Sequence, residues 1–487
     1  MPPTVTTFTE SITMDRLRNI LAGSSSAKDT RDANPDEYEP LRTSSDNVDE
    51  TGHTPESEGE AHKATEVPFS WFEYTIFALV GVAMLWAWNM FLAASPYFNF
   101  RFTARPSLAR TFQSSVLTVS TITNLVVTLL LTKLQRTANY ASRIKLGLVI
   151  NTVAFVLLTI STTSYRDISP DAYLAFVLVD VWLAALATGL FQNGAFAFAA
   201  GFGRGEYTQA VMVGQGLAGV LPSLAQMVSV LVVPQSSSHP PPSAATEDGK
   251  PQGPDTISSS AFIYFLTAVI VSIITLVSFF PLSKRYQRLI ASRNAAQDDE
   301  HQSPSTRRIV GLATLCRKLH WEAGSVAICF VATIAFFPVF TGKILSTHGQ
   351  PHSRLFDSEV FIPLGFFCWN AGDLAGRMFT GGAFNEGIRR QPVVLFLFGC
   401  ARFAFLPLYL LCNLHGGGAV VSSDLFYLVL VQVPFGMSNG WLASNSMMAA
   451  AEGVDEGERE AAGGFMGLCL VAGLAVGSLM SFTVTDI

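Results

Sequence analysis

The sequence predicts an all-α polytopic membrane protein, and three observations support this fold class. Of the 487 residues, 49% are hydrophobic and only 14% are charged, against roughly 25% charged residues in an ordinary soluble domain. The apolar residues form long runs, each close to the roughly 20 residues that a helix needs to cross a bilayer. The chain also contains 37 Phe, and its polar residues are too few to form the surface of a soluble globule around so many apolar side chains. This composition excludes an ordinary soluble enzyme.

The first 68 residues differ from the rest of the chain. They carry a net charge of −8, whereas the remaining residues carry +2. They are rich in Ser, Thr, Asp and Glu and have too little apolar surface to offset the entropy of ordering, so we expect a disordered tail. No basic segment followed by an apolar one opens the chain, so we expect no cleavable signal peptide. The first hydrophobic helix then serves as the targeting signal and the tail stays cytosolic.

Eleven apolar runs predict the transmembrane helices. They cover residues 72–97, 110–132, 144–163, 172–202, 207–234, 259–282, 321–346, 358–383, 392–414, 423–451 and 460–484. A basic and polar segment divides them into six and five. We therefore expect a tail over 1–68, helices one to six within 69–282, a cytosolic loop over 283–320 and helices seven to eleven within 321–487.

The loops between these helices differ in their content of Lys and Arg. With the N-terminus in the cytosol, the inside loops hold sixteen Lys and Arg residues and the outside loops hold seven. Cytosolic loops of membrane proteins carry such an excess of positive charge. The sequence therefore predicts a multi-pass protein with a cytosolic N-terminus and, because the number of helices is odd, a C-terminus on the opposite side.

Helix eight carries a polar stripe inside an apolar run. Phe366, Asn370, Asp373 and Arg377 are spaced four, three and four residues apart, so they lie along one face. Buried charges are expensive in a membrane and are candidates for a functional site. The acid precedes the base by four residues, so a purely structural ion pair is the alternative interpretation. Two small residues on the same helix should let another helix approach closely.

Helices one and four carry polar or aromatic groups well inside the apolar run. Trp88 and Asn89 lie inside helix one, away from the ends where belt tryptophans occur. Gln192 lies in helix four, and its amide offers a donor and an acceptor to a ligand. Each could line a pocket or pack against another helix.

Helix ten carries a second stripe, for which we favour a gating or packing role. Its members are Gln432, Asn439 and Ser446. Pro434 should weaken the backbone hydrogen bonds beside this stripe. Asp180 in helix four and Arg402 in helix nine are interpreted as structural or as snorkelling side chains.

Several functional classes find no support in the sequence. It contains no Walker lysine, no HExxH and no GxSxG motif, so neither ATP-driven transport nor hydrolysis is predicted. The six Cys lack the spacing of a zinc site or a disulfide framework. We therefore expect no enzyme, no cofactor and no metal.

Six motifs follow one another along the helices. They are WAWNMFLAASPYF at 86–98, FQNGAFAFAAGF at 191–202, GQGLAGV at 214–220, FIPLGFFCWNAGDLAGR at 361–377, ARFAFLPLYLLCN at 401–413 and FGMSNGWLAS at 435–444. In these motifs and their order the chain resembles the equilibrative nucleoside transporters, the solute carrier family 29 type, in a fungal-type form. The resemblance implies a major-facilitator-like arrangement of six plus five helices. It also implies facilitated transport of purine and pyrimidine nucleosides by alternating access.

The resemblance also assigns roles to residues of this sequence. It implies that Asp373 and Arg377 bind the ribose and that Trp88 and Gln192 contact the base. The positions that it places around the same cavity are Asn89, Phe366 and Asn370. Ala87 and Trp441 depart from the family pattern, which usually has Pro and Tyr there.

Two alternatives stay open at this point. The first is proton-coupled transport of nucleosides or nucleobases, which titration of Asp180 or Asp373 with turnover would favour. The second is a membrane sensor that does not transport. The expected partners are nucleosides and the lipid bilayer, without nucleic acid or an obligatory protein partner. The expected location is the plasma membrane or a vacuolar or lysosomal membrane.

Overall fold

The computed structural model describes residues 68–135, 138–165, 168–232, 254–299, 310–348 and 354–484. The predicted disordered tail lies outside these ranges, apart from Pro68. Nearly all described residues are helical, and one isolated antiparallel bridge, between Ile344 and Leu414, occurs among them.

The first half of the bundle consists of six long helices. They are α1 (Trp71–Ala93), α2 (Pro106–Lys133), α3 (Tyr140–Ser164), α4 (Pro170–Gly201), α5 (Gly205–Val232) and α6 (Pro254–Asp299). Helices α2 and α4 begin at Pro106 and Pro170, where the fixed φ of proline suits the first helical position and its missing N–H costs nothing. Asn139 caps α3, because its side chain accepts a hydrogen bond from the Ser142 amide at 3.0 Å.

The second half contains five further helices. They are α7 (His320–Thr341), α8 (Ser358–Met378), α9 (Pro392–Leu410), α10 (Val433–Glu452) and α11 (Arg459–Val484). A 3₁₀ turn, Arg402–Ala404, interrupts α9, and a π-helical segment, Phe426–Gln432, precedes α10. Pro434 lies two residues after the end of that segment and has no N–H for the carbonyl one turn earlier, which agrees with the weakening predicted from the sequence.

Nine helices within the described ranges are long and apolar enough to cross a membrane. They are the six of the first half together with α7, α9 and α11. Helices α8 and α10 do not meet the same criterion, because α8 carries Asn370, Asp373 and Arg377 and α10 carries several Asn and Ser. The all-α membrane fold is confirmed, whereas the number of eleven spans remains a prediction.

Helix α6 is longer than its apolar sequence indicated. The predicted helix ended at 282, but α6 continues to Asp299. The added turns contain Lys284, Arg285 and Arg288. Lys and Arg are good helix formers, so the helix can continue in water after it leaves the bilayer. The guanidinium of Arg285 also lies 2.8 Å from the buried Glu73 carboxylate of α1. The first part of the predicted 283–320 loop is therefore helical.

The helices pack as two groups that meet mainly along four contacts. Within the first half, α1 packs against α5, and α3 packs against α4 and α6. Within the second half, α8 packs against α10, and α7 packs against α11. The halves meet where α5 lies on both α8 and α10 and where both α2 and α4 lie on α11. This arrangement agrees with the six-plus-five division.

A carboxylate in the connection before α10 ties two loops together. Asp424 accepts hydrogen bonds from the Ser346 hydroxyl at 2.5 Å and from the Thr347 amide at 2.7 Å. His348 Nδ1 lies 2.8 Å from Asp424 Oδ2, the oxygen that also accepts from Ser346. Burial alone would raise the pKa of Asp424, but the hydrogen bonds from these three residues outweigh it and lower the pKa below its ordinary value.

We expect Asp424→Asn to lower the thermal unfolding midpoint by about 2–4 °C at pH 7. A lowered pKa in the folded state contributes stability above the unfolded value of about 3.9, and this contribution is lost as the pH falls through the folded value. The difference between wild type and variant should therefore narrow below about pH 4. Thermal unfolding in detergent across a pH series measures it. Asp171→Asn, which breaks the exposed pair with Arg105, serves as the control. A difference that persists unchanged to the lowest pH contradicts the prediction.

Candidate functional site

A buried ion pair on α8 forms the centre of the site. Arg377 Nε donates to Asp373 Oδ2 at 2.7 Å, and the two residues are 4% and 3% exposed. The spacing of four residues brings the side chains together on one face of α8. The ion pair is therefore formed and almost fully buried in this conformation, and the predicted common face of the two side chains is confirmed.

Helix α10 holds the acid from one side. Asn439 Nδ2 donates to Asp373 Oδ1 at 2.7 Å. The helices touch backbone to backbone here, because a Cβ atom on Gly440 would overlap the carbonyl oxygen of Asp373. One on Gly376 of α8 would likewise overlap the carbonyl oxygen of Met437. The close helix approach predicted from the small residues of α8 is confirmed, and the partner is α10.

Helix α5 contacts Arg377, the basic residue of the ion pair, across the boundary between the two halves. Arg377 Nη1 donates to the Met212 carbonyl at 2.8 Å and to Gln215 Oε1 at 3.2 Å. Gln209 Nε2 in turn donates to the Arg377 carbonyl at 3.1 Å. The pair thus lies where the two halves meet, and its guanidinium belongs as much to α5 as to α8.

The two remaining predicted residues of α8 contact different helices, Asn370 contacting α5 and Phe366 contacting α7. Asn370 Nδ2 donates to Ser223 Oγ at 2.9 Å. Phe366 packs edge-on against Phe337 of α7, with 5.1 Å between the ring centroids. Asn89 of α1 donates from Nδ2 to the Ala218 carbonyl of α5 at 2.7 Å. Helix α5 therefore connects Asn89 with the polar stripe of α8.

Trp88 and Gln192 lie apart from this group. Trp88 lines a cavity within the first half and stacks on Phe91, with 5.9 Å between the centroids and 11° between the planes. Gln192 is 5% exposed and makes no hydrogen bond to the described residues. In this conformation the structure does not gather all seven predicted residues around one cavity.

Asn439 and Gln215 were not assigned to the site from sequence. Asn439 was recognised in the polar stripe of helix ten, but nothing in the spacing of α10 shows that it faces Asp373. Gln215 lies within the GQGLAGV motif. Its polarity inside an apolar helix was the available signal, by the same reasoning that selected Gln192.

Arg402 extends the polar network behind Asn439. Its Nη2 donates to Thr333 Oγ1 at 2.9 Å, and this hydroxyl lies 2.6 Å from Asn439 Oδ1. Arg402 is 1% exposed and also donates to the Cys329 carbonyl and to Ser438 Oγ. The structural interpretation of Arg402 holds, and the snorkelling interpretation is wrong because the side chain does not reach a surface.

Asp180 requires a similar correction. It is 2% exposed, so it does not snorkel either. Both of its carboxylate oxygens are buried without a hydrogen-bond partner among the described residues. It lines the same cavity as Trp88.

Apolar helices packed in two halves, with a buried polar cluster where the halves meet, form a fold of the major facilitator type. The fold is similar to that of the proton:xylose symporter XylE, with a TM-score of 0.55 and 11% identity over 85% of this chain and 88% of that chain. It is also similar to the human organic anion transporter MFSD10, with a TM-score of 0.51 and 14% identity over 86% and 95% of the two chains.

The sequence specifies the class further. Residues 178–485 match the family model described as nucleoside transporter, so the chain belongs to the nucleoside transporter family. Nucleoside transporter FUN26 of Saccharomyces cerevisiae is 29% identical over 445 residues, which cover 84% of this chain and 83% of that protein. Human equilibrative nucleoside transporter 1 is 26% identical over 464 residues, which cover 84% of this chain and 96% of that protein. The predicted family is confirmed, and it is a family of transporters rather than enzymes.

Proposed function

We propose that the protein carries nucleosides down their concentration gradient by alternating access, with a site that binds ribose and nucleobase between the two halves. The observation that carries this proposal is the Asp373–Arg377 pair, which lies at the contact of α8 with α5 and so between elements that move relative to each other in such a mechanism. Membership of the nucleoside transporter family supports the substrate class.

The ribose end of the site uses the chemistry of this ion pair. Each Asp373 oxygen accepts one protein hydrogen bond and keeps a second lone pair. Arg377 Nη2 makes no hydrogen bond to the described residues, although the other two nitrogens do. A ribose with two vicinal hydroxyls offers donors to the carboxylate and acceptors to the guanidinium. When the halves separate, the pair can exchange its contacts with α5 for contacts with the sugar.

The base end of the site uses Trp88 and Gln192, with Asn89 and Phe366 at its sides. The indole of Trp88 provides a flat apolar face for a purine or pyrimidine ring. Gln192 has an amide without a partner among the described residues, so it can read a base edge with its donor or its acceptor. Closure around a nucleoside must bring Trp88 and Gln192 towards α8, because these two residues lie apart from it in the present conformation.

Contacts between the halves are concentrated at one end of the bundle. Tyr286 of α6 donates a hydrogen bond to Glu460 at the start of α11. Gln209 of α5 donates to the carbonyls of Arg377 and Met378 at the end of α8. These contacts close one end and must break when that end opens, which supports alternating access.

We expect purified protein in liposomes to equilibrate labelled uridine and adenosine without ATP or an ion gradient. The internal concentration should stop at the external one, because no motif for nucleotide hydrolysis supplies energy. Protein-free liposomes give the background. Accumulation above equilibrium under an imposed proton gradient would favour the proton-coupled alternative. Nucleoside binding without flux would favour the sensor.

The sequence supports an expectation about the cellular membrane in which the protein lies. We retain the plasma membrane or a vacuolar or lysosomal membrane, with the N-terminus in the cytosol. The charge distribution of the loops supports this orientation. Fluorescence microscopy of a tagged chain, with protease access to the N-terminus, tests both.

A further inference from the structure

A small cavity lies between the first four helices, away from the α8 ion pair. Its volume is about 30 Å³. Helices α1 to α4 all contribute to its lining, and its polar residues are Ser120, Asn151, Asp180 and Thr188. Trp88 and Ala87 supply part of the apolar wall. The cavity belongs to the first half alone.

The carboxylate of Asp180 has nothing to neutralise it in this cavity. Asp180 is 2% exposed, and neither oxygen has a hydrogen-bond partner among the described residues. It lies ten residues after the start of α4, about 15 Å along the helix, well inside the apolar region. A bare carboxylate in such surroundings costs several kcal/mol. Some positively charged species therefore has to accompany it, or a proton has to neutralise it.

No other lining residue of the cavity is titratable. The helices that pack against α4 are α1, α2, α3, α5 and α11. The titratable and charged residues described on these helices and on the rest of α4 lie outside the lining, and they are Glu73, Tyr74, Arg110, Lys133, Tyr140, Arg143, Lys145, Asp171, Tyr173, Glu206, Tyr207, Arg459, Glu460 and Cys469. The protein thus supplies no cationic side chain within the cavity.

The polar neighbours of Asp180 offer several acceptors and two donors, the Ser120 hydroxyl and the Trp88 indole N–H, which make no hydrogen bond to the described residues. The hydroxyl hydrogen of Thr188 is used on the Ala184 carbonyl, at 2.8 Å. The amide of Asn151 donates to Ser272 Oγ at 2.9 Å, and its carbonyl oxygen has no partner among the described residues. The Asp180 carboxylate and the Asn151 carbonyl oxygen accept and the Ser120 hydroxyl can do so, which suits an occupant that is itself positive or donates hydrogen bonds.

The size of the cavity limits the occupant further. A cavity must enclose about 10–15 Å³ to hold one water molecule, so a volume of about 30 Å³ leaves room for water molecules or a small ion.

We propose that the Asp180 cavity binds one small monovalent cation, either a proton or Na⁺, which neutralises the carboxylate. The site goes beyond the proposed nucleoside site, and it shares only Trp88 with it. A cation in the cavity would thus lie next to Trp88, the side chain that is proposed to contact the nucleobase.

The test compares wild type with Asp180→Asn, which has the same shape without the charge. Purified protein in detergent, without nucleoside, is unfolded thermally across a pH series and across a series in which Na⁺ replaces choline at constant ionic strength. Asp171→Asn on the same helix is the matched control, because that acid is exposed. The infrared spectrum of wild type is recorded for the carbonyl band of a protonated carboxylic acid.

Each source of the cation gives its own result. Proton binding raises the wild-type midpoint by about 2–4 °C as the pH is lowered. It also produces the infrared band, and Asp180→Asn loses both while the control keeps them. Sodium binding gives a similar rise with Na⁺ at fixed pH, without the band, and the rise is again absent from Asp180→Asn.

Equal responses of wild type and Asp180→Asn to both pH and Na⁺ would overturn the proposal. If Asp180→Asn fails to fold, the wild type alone decides. A midpoint that depends on neither cation, together with an absent infrared band, also overturns it. Because no nucleoside is present, failure of this site leaves the proposed nucleoside transport untouched, and failure of nucleoside transport leaves this site untouched.

Discussion

Replacing Asp373 with Asn should reduce uridine transport at least about tenfold more than transport of 2′,3′-dideoxyuridine, because a charge-assisted hydrogen bond contributes roughly 1.5 to 3 kcal/mol. The contact that is lost goes to ribose hydroxyls, and the dideoxy analogue lacks them. The Asn side chain can still face Arg377 and Asn439, so the helix packing should survive. Competition of the two nucleosides for uptake into proteoliposomes measures the ratio directly.

A purely structural ion pair makes a different prediction for the same substrates. Both nucleosides should then lose flux equally, and the exchange Asp373→Arg with Arg377→Asp should restore folding and transport together. Glu452→Gln provides the matched control. Glu452 is the last residue of α10, and its Oε1 lies 3.0 Å from Nε of the buried Arg389. This variant should change stability without changing the substrate ratio. Equal losses with rescue by the exchange would sink the ribose assignment.

Arg402→Met should be among the most destabilising single substitutions in the second half. Arg402 is fully buried and donates to Cys329, Thr333 and Ser438. Its guanidinium also lies over the ring of Phe435, 4.6 Å from the centroid. Methionine removes all of these hydrogen bonds from the buried core, although the Cys329 carbonyl keeps the Thr333 hydroxyl as a donor. We therefore expect a loss of about 3 kcal/mol in the free energy of unfolding.

Denaturant unfolding in detergent measures this loss, and two further variants interpret it. Arg402→Lys keeps the charge but offers three donors instead of the five of a planar guanidinium, so it should fall between wild type and Arg402→Met. Arg105→Met breaks an exposed pair in which both side chains are more than half exposed, and it should change stability little. Full stability of Arg402→Lys would show that charge alone matters and that the guanidinium geometry does not.

The α8 pair was predictable because its evidence is local. The spacing of Asp373 and Arg377 places both side chains on one helix face, whatever the rest of the fold does. The apolar runs located the helices for a similar reason, since bilayer thickness fixes their length. Where polar side chains continue a helix beyond the bilayer, as Arg285 does in α6, apolar length no longer gives the end of the helix.

Partners from other helices could not be read from the sequence. Asn439 reaches Asp373 only because α10 is rotated to face α8, and Gln215 reaches Arg377 only because α5 crosses between the halves. Asp180 shows the same limit. Its spacing from Gln192 says nothing of a cavity that also needs residues from α1, α2 and α3.

The backbone contact between α8 and α10 has a mechanical consequence. Gly440 lies against the Asp373 carbonyl, and Gly376 lies against the Met437 carbonyl, so the two backbones are in direct contact with no side chains between them. We therefore expect α8 and α10 to move as one rigid unit. In the proposed mechanism, displacement would occur where side chains fill the helix contact, above all between α5 and α8, because rotamers can change there. Asp373 and Arg377 would then move with α8 and α10, and the substrate would be released when α5 withdraws from them.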